Sequence, residues 1–110
     1  MHVEVTRRPT HVVAHVQGEV DLATAPELRT ILAEFAPGEG VVVVDLTDVA
    51  FLDSSGLSVL VEVHQHLASD GLSSLRLVVT RPTMRRLLEA TGLIEIFDVR
   101  PSLEDAVRGL

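Results

Sequence analysis

Short apolar runs alternate along this chain with longer stretches in which apolar residues recur every three or four positions. Val3 and Val5 alternate with polar residues, which is typical of a strand with one buried face. The run Val41–Leu46 is rich in β-branched residues and bounded by turn residues, so it predicts a central strand buried on both faces. Arg8–Thr10 predicts a hairpin turn. The predicted strands are Val3–Val5, Val12–Val16, Val41–Leu46, Leu75–Val79 and Ile96–Val99.

The stretches with helical spacing predict four helices. In the first, Thr24 is the expected N-cap, Glu27 closes a capping box, and Pro37-Gly38 ends the helix. Pro82 in the first turn and Gly92 after the last turn mark the start and the end of the third helix. The other three predicted helices run from Ser54 to about Asp70, from Pro82 to Gly92, and from Ser102, with Asp105 completing its capping box, to Leu110.

The second predicted helix has two distinguishable faces. Leu57, Leu60, Val61, His64 and Ala68 form a stripe expected to face the core. On the other side, at 100° per residue, the fold does not require apolar residues. The residues predicted on that solvent side are Ser55, Val59, Val63 and His66.

Strands alternating with single helices predict one α/β domain spanning residues 1–110. The element order ββαβαβαβα implies a mixed, mostly parallel β-sheet with an antiparallel edge, covered by about four α-helices. Binding surfaces in such folds form at the carboxyl ends of the strands. The segment Asp53–Leu57, with the sequence Asp-Ser-Ser-Gly-Leu, lies at one of these ends.

Composition narrows the possible functions. The chain has 110 residues, no cysteine and a net charge of -7, so disulfides, thiolate chemistry and cysteine-ligated zinc are excluded. All the cations are arginine, without a basic block, which argues against direct nucleic-acid binding. No apolar run reaches the roughly 18–20 residues of a membrane span, and Met1–Glu4 does not resemble a signal peptide. We therefore expect a cytoplasmic protein with no membrane association and no cofactor.

The Asp53–Leu57 segment places two hydroxyl groups where a strand turns into a helix. Unpaired backbone N–H groups at a helix start stabilise negative charge. From the residues alone, a serine here is a helix cap, a nucleophile or an acceptor of a phosphoryl group. A serine hydrolase is disfavoured because the pattern is not G-x-S-x-G and no motif places a histidine and an acid.

Three short segments resemble one family. Gly18–Asp21 resembles its first signature, Asp53–Leu57 with the preceding strand its second, and Thr91–Leu93 a weaker third. Together with the element order, they are similar to the sulfate transporter and anti-sigma factor antagonist (STAS) domain. The resemblance extends over the whole chain and is strongest to stand-alone bacterial anti-anti-sigma factors.

The resemblance implies a non-enzymatic regulator of transcription that works by partner switching. The unmodified protein would bind an anti-sigma factor serine kinase with a histidine-kinase-like ATPase fold, which frees the sigma factor. Phosphorylation at Ser55 would end this binding, and a PP2C-type phosphatase would restore it. Ser54 matches the non-acceptor serine of the motif and is expected to cap the helix.

A partner-binding face is expected around Ser55. Asp53 is expected to act as a cap that fixes the corner and orients Ser55, and Asp21 lies in the loop that the resemblance places beside the phosphorylation site. The side chains predicted to contact the partner are Asp21, Asp53, Ser54, Val59, Glu62 and Val63.

Two further hypotheses follow from the same residues. Asp45, Asp48 and Asp53 near a strand end suggest a magnesium site, but such groups are common by chance, and no metal site is predicted. His64 and His66 are two positions apart and cannot share a metal on one helix face.

The alternative function is a STAS adaptor subunit of a lipid-transport or stressosome-type complex without a phosphorylation switch.

Overall fold

The computed structural model describes residues 1–35, 38 and 40–110, and its strands form one five-stranded sheet in the spatial order β1-β2-β3-β4-β5. The β1–β2 pair is antiparallel, and the other three pairs are parallel. This confirms the predicted mixed α/β fold with an antiparallel edge. The strands are β1 His2–Arg7, β2 His11–Val20, β3 Val41–Leu52, β4 Ser74–Val78 and β5 Asp98–Arg100.

Helices cover both faces of the sheet unequally. The main core forms where α1, α2 and α3 pack on one face, against residues such as Ala14, Val44 and Leu77. On the other face, Ala106 of α4 packs on Val43 and Val78. Neighbouring residues of β3 thus enter different cores, because successive side chains of a strand point to opposite faces. The helices are α1 Ala25–Leu32, α2 Ser54–Ala68, α3 Pro82–Ala90 and α4 Leu103–Val107.

The central strand is longer than its apolar run predicts. β3 continues past Leu46 to Leu52 because it stays paired with β2, through two shifts of register, as far as Val20 opposite Leu52. The pairing of β3 with β4 stops much earlier, at Asp45 opposite Val78. The end of the sheet, where Val20 pairs with Leu52, therefore consists of β2 and β3 alone.

The helix ends follow the predictions only in part. Ser102 caps α4 by accepting a hydrogen bond from the Asp105 N–H, and Gly92 ends α3 with a φ of 76°. Thr24 is the N-cap of α1 by position, but its side chain caps no N–H group of the helix, so the predicted capping box with Glu27 is wrong. The predicted stop at Pro37-Gly38 is too late, because α1 ends at Leu32; Pro37 itself lies outside the described residues.

The fifth strand also begins later than predicted. A 3₁₀ turn at Leu93–Glu95 follows Gly92, and β5 starts only at Asp98. Ile96, expected to open the strand, is half exposed, while Phe97 is buried. The first two residues of the predicted strand, Ile96 and Phe97, therefore lie between the turn and β5, because a short apolar run does not by itself identify a strand.

The solvent side predicted for α2 is wrong at Val59 and Val63, while His66 is exposed as predicted. Val59 is 0% and Val63 is 6% exposed, and both belong to the main core, whereas Ala68 is exposed. The helix is covered on a second side because α1 packs along it, and Val63 and Leu32 meet at that junction. A pattern with one apolar and one polar face is expected of a helix that packs on one side only, whereas α2 packs against both the sheet and α1.

Within the described residues, no helix is both long enough and apolar enough to cross a membrane.

Candidate functional site at the start of the second helix

Asp53 forms the corner between β3 and α2. Its backbone is extended (φ -108°, ψ -171°), and its carboxylate Oδ1 accepts hydrogen bonds from the N–H groups of Ser55 (2.9 Å) and Gly56 (3.4 Å). These bonds satisfy two of the N–H groups that a helix start leaves unpaired. Asp53 is therefore the helix cap, as predicted. The prediction that Ser54 caps the helix is wrong, because Ser54 is the first helical residue.

Gly56 lets α2 start in contact with the sheet. A Cβ atom at this position would overlap Leu52 Cδ1 and lie 2.8 Å from Val20 Cγ1. The glycine of the Asp53–Leu57 segment is thus needed for close packing. It holds the two serines that precede it against the end of β3.

The loop after β2 lies beside this corner. The Asp53 N–H donates to the Val20 carbonyl at 3.2 Å, so the ends of β2 and β3 are directly bonded. Asp21 Oδ1 accepts from the N–H groups of Ala23 and Thr24, both at 3.0 Å. The Asp21 N–H in turn donates to Thr24 Oγ1 at 3.0 Å. Asp21 therefore organises the loop. This loop and the Asp53 corner lie side by side because they follow the carboxyl ends of two paired parallel strands, β2 and β3.

The serine hydroxyls of the corner differ in their surroundings. Ser54 is exposed and Ser55 is half-buried. Neither hydroxyl forms a hydrogen bond with the residues that the structure describes, while Ser58 Oγ donates to the Ser54 carbonyl at 2.9 Å. Ser54 and Ser55 thus offer the two uncommitted hydroxyls at this helix start.

Two large apolar side chains near the corner are exposed, and the sequence analysis missed both. Leu22 is 78% exposed in the loop beside Asp21, and Phe51 is 51% exposed near the end of β3. A leucine inside a turn between polar residues was an available signal for the first. The apolar pattern gave no sign of the second, because Phe51 looks like an ordinary strand residue.

Glu62 lies on the exposed surface of α2, farther along from the corner. It accepts two hydrogen bonds from Arg29 of α1, at 2.9 and 3.2 Å. These hydrogen bonds and the positive charge of Arg29 hold the pKa of Glu62 below its usual value, although the loss of some surrounding water opposes this. Glu62 also borders an open groove of about 410 Å³ that reaches Ser54 and Ser58.

Two of the acidic residues considered for magnesium have a different role. Asp45 and Asp48 hold His15 between them, with Nδ1 3.1 Å from Asp45 Oδ2 and Nε2 2.8 Å from Asp48 Oδ2. Asp53 is committed to capping α2. No group of three or more histidine, aspartate and glutamate side chains in the described part of the chain has the arrangement of a metal site.

Known proteins place this corner in a family. The sequence pattern of the STAS domain matches residues 2–106. The chain belongs to the STAS domain family. An anti-sigma-B factor antagonist of Listeria monocytogenes is 36% identical over 100 residues, which cover 89% of this STAS chain and 87% of the relative.

Solved structures of STAS domains share the fold. An anti-sigma factor antagonist from Mycobacterium paratuberculosis superposes with a TM-score of 0.86 at 30% identity, covering 96% of this chain and 90% of that one. The Bacillus cell fate determinant SpoIIAA in its phosphorylated form has a TM-score of 0.69 at 18% identity, with 96% of each chain covered. At that identity, the likeness to SpoIIAA concerns the fold alone.

Proposed function

We propose that this STAS domain is an anti-sigma factor antagonist switched by phosphorylation at Ser55. Unphosphorylated, it binds an anti-sigma factor that is a serine kinase with a histidine-kinase-like ATPase fold, and the sigma factor is released. Phosphorylated, it no longer binds. Relatives named as anti-sigma-B factor antagonists support the first part, and the capped helix start with two uncommitted hydroxyls supports the second.

The placement of Ser55 is the observation that carries the switch. Ser55 is the second residue of α2, one position after the exposed Ser54, and its N–H group is bonded to Asp53. The positive end of the helix dipole accommodates a phosphate there without unfolding the helix. The modified corner keeps its shape, so the effect on binding would come from charge.

The chemical step requires only a hydroxyl from this domain. The Ser55 Oγ would attack the γ-phosphorus of ATP held by the kinase, and the bond between that phosphorus and the β–γ bridging oxygen would break. ADP leaves, and a base on the kinase takes the hydroxyl proton. A PP2C-type phosphatase would return the serine by hydrolysis. No cofactor of this domain takes part.

The added charge would disturb a surface that is already acidic. A phosphoserine carries about -1.5 to -2 charges. Asp53 lies at the same corner, and Asp21 lies in the loop bonded to it. An acidic or closely fitted partner would be repelled, and a loss of about 3 kcal/mol corresponds to roughly a hundredfold weaker binding.

The proposed contact surface is revised by the burial of two valines. Asp21, Asp53, Ser54 and Glu62 remain in it, whereas the buried side chains of Val59 and Val63 do not reach a partner. Leu22 takes their place as an apolar anchor beside Asp21, since it is 78% exposed. Exposed apolar side chains within a polar rim are typical of protein-binding surfaces.

The test is reconstitution with the cognate anti-sigma factor kinase and ATP. We expect phosphate on Ser55 by mass spectrometry, and binding that falls about a hundredfold on phosphorylation. Ser55→Ala should bind but accept no phosphate, while Ser54→Ala and Ser58→Ala should still be phosphorylated.

Two results would contradict the proposal in different ways. Phosphorylation of Ser55→Ala at the wild-type rate would make the acceptor assignment wrong. Equal binding before and after phosphorylation would favour an adaptor without a switch, as in a lipid-transport or stressosome-type complex.

A further inference from the structure

The last part of β3 has a free edge. In the segment Thr47–Leu52, residues from Asp48 to Leu52 pair with β2 on one side, but the pairing with β4 ends at Asp45. Among the described residues, no strand lies against the other side of this segment. The Thr47 carbonyl instead accepts a long hydrogen bond, 3.4 Å, from the Nε of Arg81. Unpaired strand edges are ready sites for a further strand.

A cleft lies along this edge. Its volume is about 150 Å³, with β3 residues 49–52 on one side and Arg81, Thr83, Met84 and Leu87 on the other. Phe51 borders it and is half exposed, while Met84 is 6% exposed and forms part of the floor. A cavity of about this volume lined by apolar side chains takes one benzene-sized group.

The charged side chain at the cleft is that of Arg81. Arg81 makes no ion pair with a described carboxylate, and the first turn of α3 contains no acidic residue. Its charge is therefore not neutralised by a described side chain, on a chain with a net charge of -7. Arg85, four residues farther along, is by contrast already paired with Glu89 at 3.6 Å. An acidic group from outside would therefore be attracted to this end of the cleft.

We propose that the cleft binds an extended segment of the partner protein that adds as a strand to Thr47–Leu52. One apolar side chain of the segment fills the cleft, and an acidic side chain meets Arg81. The inference rests on the proposed function for the identity of the partner, the anti-sigma factor, and on the cleft for the chemistry of the segment. Main-chain hydrogen bonds provide the affinity in this mode, and the pocket provides the specificity.

Other occupants fit less well. A nucleic acid would meet one arginine in a cleft with no other charged residue, on an acidic chain. A second copy of this chain would add at the same edge, but the matching β3 edge of that copy is equally basic at Arg81. An acidic segment of a different protein satisfies the edge, the cleft and the charge together.

A capped peptide, acetyl-Asp-Val-Phe-Val-Glu-amide, serves as the probe in an NMR titration of the ¹⁵N-labelled protein. We expect amide shifts concentrated at Thr47–Leu52 and at the start of α3. A peptide with lysine in place of both acids, and one with N-methylated valines that cannot pair with a strand, should each bind at least about tenfold more weakly. Arg81→Glu should remove the preference for the acidic peptide, and the matched control Arg85→Glu should keep it.

Several outcomes overturn the inference. These are the absence of localised shifts at about 1 mM peptide, equal binding of the N-methylated peptide, and a dimer of the chain that the peptide dissociates. A second measurement uses the anti-sigma factor and Ala50→Trp, which fills the cleft from an exposed position. Unchanged binding of this variant also contradicts the inference. If wild type itself does not bind the anti-sigma factor, the proposed function fails, and the peptide titration still decides the role of the cleft.

Discussion

The carboxylate of Asp53 accepts a hydrogen bond from the Ser55 N–H at 2.9 Å, so the cap of α2 and the proposed phosphoryl acceptor are bonded to each other. Any change at Asp53 therefore acts on Ser55 as well. The bond ties the backbone of Ser55 to the end of β3. It accounts for the aspartate at position 53, because its carboxylate accepts a hydrogen bond from the N–H group of residue 55.

Asp53→Ala removes the cap. We expect a loss of about 1 kcal/mol in the free energy of unfolding, which lowers Tm by roughly 4–8 °C in a domain of this size. Asp53→Asn keeps an acceptor oxygen and should recover most of this loss. Urea and thermal unfolding monitored by circular dichroism measure both. An equal loss in the two variants would mean that the negative charge matters and the hydrogen bond does not.

Gly56→Ala sets helix propensity against packing. Propensity alone favours alanine by about 1 kcal/mol. The new methyl group would overlap Leu52 and press on Val20, and overpacking of this kind typically costs 1–3 kcal/mol. We expect packing to dominate, with net destabilisation in urea unfolding. Ser58→Ala, at an exposed position of the same helix, is the control and should stay near wild type. A stabilised Gly56→Ala would show that α2 moves away from the sheet without cost.

Val63→Ala and Leu22→Ala should separate stability from binding. Val63 is buried in the core, so its truncation should cost about 1–2 kcal/mol of stability. Leu22 is largely exposed, so Leu22→Ala should change stability by less than about 0.5 kcal/mol while weakening the anti-sigma factor. Unfolding curves and titration calorimetry measure the two effects. Wild-type affinity in folded Leu22→Ala would remove this residue from the contact surface.

The stability of the protein should depend on pH through His15. Burial disfavours the charged imidazole, but hydrogen bonds to Asp45 and Asp48 and their negative charges outweigh this and raise the pKa of His15 above 6.5. Glu4 also faces His15 across the β1–β2 pair, and Glu4 is itself 3.3 Å from His2. The stabilisation from protonated His15 is therefore complete below pH 6.5 and is lost as pH rises through the raised pKa.

Urea unfolding of wild type and His15→Gln between pH 6 and 9 measures this effect. The wild-type midpoint should fall relative to that of the variant over this range. NMR titration of the His15 ring should give a pKa above 6.5. If the midpoints of the two proteins change with pH in parallel, the pKa of His15 is the same in the folded and the unfolded state, which contradicts the prediction.

The helix ends that the sequence predicted correctly depend on residues close together in the chain. The Ser102 cap, the stop of α3 at Gly92 and the Asp53 corner follow from residues within one turn of each other. Thr24 fails as a side-chain cap because its Oγ1 is already bonded within the loop, where it accepts from the Asp21 N–H and donates to the Glu19 carbonyl. Ser54 fails because Asp53 already accepts from the Gly56 N–H that a cap at Ser54 would use.

The sequence by itself determined the element order, the mixed sheet, the STAS resemblance and the position of Asp53–Leu57 at the end of a strand. Its alternation of apolar and polar residues contains this information because each strand or helix must bury one side. Only the tertiary structure decided that Val59 and Val63 are buried, that Leu22 is exposed, and that β3 outruns β4 to leave a free edge. These features depend on which elements pack side by side, and residues distant in the chain determine that packing.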